Sequence, residues 1–111
     1  MKQIIKTPHA PAPIGPYNQA VLVGNMLFTS GQIAINPESN ELVLNSIEEE
    51  TEQVMKNLQE VLKAAEMTFE NVVKSTIFIA DMNQFAQINS IYSKYFDENT
   101  APARETVQVA A

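Results

Sequence analysis

The chain has no cysteine and no tryptophan, one arginine and one histidine among its 111 residues. Without cysteine, disulfide scaffolds, thiolate zinc sites and cysteine nucleophiles are excluded. With His9 alone, a histidine-rich metal site is excluded, and a Ser-His-Asp triad would have to draw its base from a proline-rich arm. No apolar run approaches the ~20 residues needed to span a bilayer. The start, Met1 to Pro8, has neither the long apolar core nor the cleavage site of a secretory signal. These absences make a soluble cytoplasmic protein with no membrane partner the expectation. Basic charge is also scarce: 13 acids against 7 bases give a net charge of -6. The lysines are scattered and Arg104 is the only arginine, so the clustered cations that grip phosphates are missing and no nucleic-acid partner is expected.

What is present suits one core. Apolar residues make up 45% of the chain, and its length allows a single domain over residues 1–111. Residues 7–16 hold four of the six prolines and read as an extended arm. The segments Asn18–Val23 and Met26–Ser30, joined by Gly24-Asn25, are a hairpin signal. Gln32–Ile35 is read as continuing that strand past a bulge or bend. Ser46 with Glu49 forms a capping-box pattern, and apolar residues from Ile47 to Ala65 recur at helical spacing, which predicts a helix over about 47–65. Val72–Ile79 is short, apolar and β-branched, as expected of a strand buried on much of both faces. Asp81 with Gln84 is read as capping a second helix with apolar positions Phe85, Ile88, Ile91, Tyr92, Tyr95 and Phe96. Residues 105–109 alternate like a strand. The order β-β-α-β-α-β predicts a two-layer α+β domain with both helices on one sheet face. The other face carries Val21, Val23, Leu27 and Ile33 and is too apolar for water, so self-association is expected.

Few side chains can carry chemistry. Arg104 follows Pro102-Ala103 at a strand start, and its planar fork matches a carboxylate in two parallel hydrogen bonds. A surface or structural salt bridge is the plain alternative. Tyr17 either caps the sheet end or places a phenol at a pocket mouth. Gly31 permits close approach of a small ligand, and Ser30, lacking a base, suits a pocket wall better than a nucleophile. Asn89, beside the apolar stripe of the second helix, is a packing contact or a ligand contact. Glu48, Glu49, Glu50 and Glu52 point around their helix and read as a solvated face matched to its dipole, not as a metal cluster.

The stretches Ala12–Tyr17, Phe28–Gln32, Asn89–Tyr92 with Phe96, and Ala101–Arg104 together resemble the RidA/YjgF/UK family, in order and over nearly the whole chain. The resemblance implies a chorismate-mutase-like α+β fold and a homotrimer with ligand sites in the clefts between subunits. It implies hydrolysis of reactive enamines and imines, such as 2-aminoacrylate, 2-iminopropanoate and 2-iminobutanoate, to 2-oxo acids and ammonia, without metal or cofactor. Arg104 would be the catalytic and carboxylate-clamping residue. Backbone groups near Thr106 would take the imine end, and Tyr17, Ser30, Gly31 and Asn89 would shape the cleft. The family pattern continues into a further strand bearing a glutamate that orients water, which this sequence does not include. Glu105 stands where the family more often has a small residue; on a strand it should point away from Arg104 and Thr106. Two other readings stand beside the deaminase: a trimeric module that binds 2-oxo acids or a protein without turnover, and a ribonuclease, which the acidic balance disfavours.

Overall fold

A computed structural model describes residues 1–110. Its elements in chain order are strand β1 (Lys2–Ile5), β2 (Ala20–Val23), β3 (Met26–Thr29), helix α1 (Ile47–Ala64), β4 (Lys74–Ile79), helix α2 (Phe85–Tyr92) and β5 (Ala103–Gln108). This is the α+β architecture expected, with one strand more. β1 was not read from the sequence because Lys-Gln-Ile-Ile is too short for either periodicity to show, and it forms by pairing with β2 across the arm.

β1, β2 and β3 make an antiparallel sheet in that order. The β2–β3 turn falls at Gly24-Asn25, with Gly24 at φ 59°, the left-handed backbone that a glycine-first primed hairpin turn requires. β4 and β5 make a separate parallel pair, joined through α2 as a parallel connection requires. The single sheet expected from the sequence is therefore two sheets. No described residue pairs with the outer edge of β3 or of β4, although Leu27 of β3 and Ile77 of β4 pack on the same cluster, built on Met55, Leu62, Phe69 and Tyr92.

Several local expectations shift. The β3 strand ends at Thr29 and Gln32–Ile35 does not extend it; Ile35 instead bridges Leu42. The Ser46 hydroxyl caps α1 by accepting from the Glu49 N–H at 3.1 Å, but the Glu49 carboxylate accepts from the Asn45 amide, not from the Ser46 backbone. Asp81 caps a short 3-10 turn over Met82–Gln84, and α2 begins behind it at Phe85 with no side-chain cap. β4 is not buried on both faces. Burial alternates along it, leaving Phe78 68% exposed, because the helices cover one face and none of the described residues covers the other.

Buried polar groups pin the irregular segments. Gln19, 4% exposed, donates through Nε2 to the carbonyls of Thr7, Ala10 and Pro11 and accepts at Oε1 from the Thr7 N–H at 2.7 Å. Asn57 on α1, 1% exposed, donates to the carbonyls of Ile33 and Ile35 and accepts from Gln53. A proline-rich arm and a loop have few ladder bonds of their own, so these amides supply partners that burial would otherwise deny them.

On the side away from the helices both sheets expose apolar side chains, beside Lys74, Thr76 and Glu105 on the second. Val23, Met26 and Phe28 on the first and Phe78 and Val107 on the second are all exposed. Val21 shares that face through its pairing with Phe28 and is half-buried. Ile33 is exposed in the loop beyond, whereas Leu27, expected on this face, points to the helices with Leu22 and packs on the core.

Candidate active site at Arg104

β5 places Arg104 beside α2. The two elements meet because the β4–α2–β5 path folds the helix back across the strand pair. Phe85, Asn89 and Tyr92 recur at four- and seven-residue intervals and so share one helix face. The Arg104 Nη1 donates to Asn89 Oδ1 at 2.7 Å. Its Cζ lies 5.3 Å from the centre of the Phe85 ring and 5.0 Å from that of Tyr92. The Tyr92 hydroxyl is hydrogen-bonded to that of Ser75 at 2.6 Å, and Ser75 is the register partner of Arg104 on β4.

The electrostatics are those of a cation without an internal counter-ion. Among the described residues the ion pairs are Lys74–Glu105 and Lys94–Glu52, and no carboxylate lies within 4.0 Å of Arg104. Glu105 faces the other way: it accepts from Thr76 Oγ1 at 2.9 Å and lies 3.6 Å from Lys74. The alternation of β5 thus keeps its negative charge off the guanidinium face. Thr106, two residues on from Arg104, is half-buried opposite Ile77. Arg104 is exposed, and it lines neither of two hollows found among the described residues. One is a hollow of about 270 Å³ under the arm, between Lys6 and Gln19; the other, of about 440 Å³, runs between His9, the turn at Pro37 and α1. Among the described residues no group of three or more histidine, aspartate or glutamate side chains is placed to hold a metal ion.

The sequence model described as Endoribonuclease L-PSP matches residues 7–111. A human protein named 2-iminobutanoate/2-iminopropanoate deaminase is 49% identical over 111 residues, all of this chain and 80% of its own. This chain belongs to the RidA/YjgF family. Solved relatives carry the same fold. A Thermotoga maritima protein titled a putative endoribonuclease superposes with a TM-score of 0.96 at 50% identity, covering 99% of this chain and 86% of its own. Escherichia coli TdcF with bound serine superposes with a TM-score of 0.90 at 41% identity, covering 97% and 86%.

The residues that the family pattern singles out fall into two groups. Asn89, Arg104 and Thr106 lie together on α2 and β5. Tyr17, Ser30 and Gly31 lie on the first sheet and its arm, and no hydrogen bond or ring contact joins the two groups among the described residues. Tyr17 is 50% exposed, with its backbone N–H donating to the Gly15 carbonyl at 2.8 Å. The Ser30 hydroxyl donates to the Asn18 carbonyl at 2.6 Å and its N–H to that of Gln19 at 2.9 Å, so this serine ties β3 to the arm. Gly31 has no atom within 4 Å of where a Cβ would sit. The contacts of Ser75 with Tyr92, and of Phe85 and Tyr92 with Arg104, were not read from the sequence. The aromatic pair has a signal there, the i, i+7 spacing about Asn89, which also satisfies a core stripe; Ser75 has none.

Proposed function

We propose that this protein hydrolyses small 2-imino acids and their enamine tautomers to 2-oxo acids and ammonia, without metal or cofactor. The observation that carries this reading is Arg104: a guanidinium held in place by an amide and two rings, with no carboxylate of the described residues within 4.0 Å of it. Such a cation is prepared for an external anion, and its fork fits a carboxylate. The human relative's name supplies the substrate class, and the serine bound to TdcF is an amino acid of the same size.

In this reading Arg104 clamps the substrate carboxylate and backbone groups near Thr106 take the nitrogen end. A protonated imine is already electrophilic at carbon. Water adds there and loses a proton, and the resulting carbinolamine expels ammonia to leave the 2-oxo acid. The protein's part is mainly to hold the imine beside that water. Residues 1–111 act as one RidA-like domain.

The open setting of Arg104 in one chain calls for a second wall. The apolar side chains exposed on the outer faces of the sheets, Val23, Met26 and Phe28 above all, supply the means to recruit one, since surfaces of this kind mark contact sites. A cyclic homotrimer would cover them and bring Tyr17, Ser30 and Gly31 of one subunit toward Arg104 of the next. The test is release of ammonia from 2-iminobutanoate generated in situ. The expected result is acceleration that is lost in Arg104→Ala; no acceleration by the protein overturns the deaminase. Stabilisation by 2-oxobutanoate without turnover would mark the binding module instead, a reading that the serine complex of TdcF favours.

A further inference from the structure

The contacts around Arg104 carry a second statement, about residues that would touch no substrate. α2 rises about 1.5 Å per residue, so Phe85 and Tyr92 stand roughly 10.5 Å apart along it. The guanidinium sits in that interval, 5.3 Å from one ring and 5.0 Å from the other, with Asn89 accepting its Nη1 proton midway. A flexible side chain on an exposed strand position would ordinarily sample many rotamers. Here movement along the helix is blocked on both sides. The upper ring is itself fixed: the Tyr92 hydroxyl bonds Ser75, the residue paired with Arg104 on the neighbouring strand.

We propose that Phe85 and Tyr92 are positioning residues for Arg104: the two rings bracket the guanidinium, Ser75 locks the Tyr92 ring over the strand pair, and the bracket presents the exposed edge of the fork to a planar carboxylate. The rings act through the quadrupole attraction of their faces for the cation as well as by shape. Two aromatics at this spacing also serve as core, and Tyr92 does pack with Phe96 at 4.7 Å. Phe85 is half-buried and belongs to neither buried cluster.

This inference rests on the carboxylate-clamping role given to Arg104 above, but one of its readouts is independent of activity. Arg104 is the only arginine, so its Nε–Hε group gives a single NMR resonance. Phe85→Leu and Tyr92→Leu are each expected to reduce the ring-induced displacement of that resonance, leaving the other ring's share, and to speed side-chain motion. Each is expected to raise KM for 2-iminobutanoate, and Kd for 2-oxobutanoate, roughly five- to tenfold. kcat should stay within about twofold, since substrate binding is what suffers. Tyr92→Phe and Ser75→Ala each remove the hydrogen bond that locks the ring but keep the ring itself, so both should fall between the parent and Tyr92→Leu. Folding is checked by the melting temperature of each variant. Should Tyr92→Leu fail to fold, Phe85→Leu decides alone. An unchanged resonance with unchanged 2-oxobutanoate affinity in a folded Phe85→Leu overturns the inference. A parent protein that accelerates no imine hydrolysis overturns the deaminase instead, and the resonance still judges the bracket.

Discussion

Gln19 and Arg104 are each fastened by their surroundings, and the difference between them separates architecture from function. Gln19 is buried and its amide is saturated from within the chain: its oxygen is taken by Thr7 and its nitrogen serves three carbonyls of the arm. Asn57 is similar, with both donor and acceptor engaged. Arg104 carries five N–H donors, and the described residues accept from one nitrogen only. A polar group saturated internally builds the fold. One that is oriented but left with spare donors awaits a partner.

The comparison is broken most severely by Arg104→Ala. Charged hydrogen bonds are ~1.5–3 kcal/mol each, so losing two should weaken 2-oxobutanoate binding by roughly a hundredfold or more. Titration calorimetry reads the loss, and because the side chain is exposed, the melting temperature should scarcely move. Asn57→Leu should do the reverse. It strands the part-buried carbonyls of Ile33 and Ile35, at up to about 1–3 kcal/mol for each group left unsatisfied, visible in denaturant unfolding, while the Arg104 resonance stays in place. Gln19→Leu should destabilise by a similar amount, about 1–3 kcal/mol, because it strands the buried Ala10 carbonyl, while those of Thr7 and Pro11 are part-buried and water can reach them. Accelerated proteolysis within residues 7–16 would locate that loss. A destabilised Arg104→Ala, or an Asn57→Leu that loses ligand affinity with its stability intact, would undo the distinction.

The smallest effect concerns alkaline pH. Tyr95 donates to the Glu52 carboxylate, and Lys94 lies 4.0 Å from the same group. Burial first, and then the hydrogen bond to Glu52 and its charge, push the Tyr95 phenol up to about 12. The folded pKa is above the unfolded value near 10, so the contribution is fully present below pH ~10 and is lost as pH rises toward about 12. Tyr95→Phe should flatten the fall in melting temperature over that window. An identical slope in the variant would show that other groups govern it.

How much was readable in advance varies with the range of the interaction. α1 could be placed from Ser46 and the spacing Ile47, Val54, Met55, Leu58, Val61 and Leu62, because a helix closes its hydrogen bonds within the segment. The Gly24-Asn25 hairpin was equally local. β1 was not, since four residues show no period and the strand exists only through β2. β4 read as buried on both faces because an apolar run does not say how many layers will cover it. The outward turn of Glu105 followed from strand alternation alone. At the candidate site, Arg104 and Asn89 could be named from motif and spacing. Their contact joins residues 15 apart through the β4–α2–β5 crossover, and no spacing rule reports it.

By itself the sequence determined the α+β class, the helix and hairpin positions, the shortage of cations and the family pattern around its one arginine. These depend on composition and on interactions within a few residues. Tertiary structure alone decided that Ser75, Phe85, Asn89 and Tyr92 would meet at that arginine while every carboxylate of the described residues stayed beyond 4.0 Å. Which groups surround a charge is settled by how helix and strands pack, and packing is a property of the whole chain.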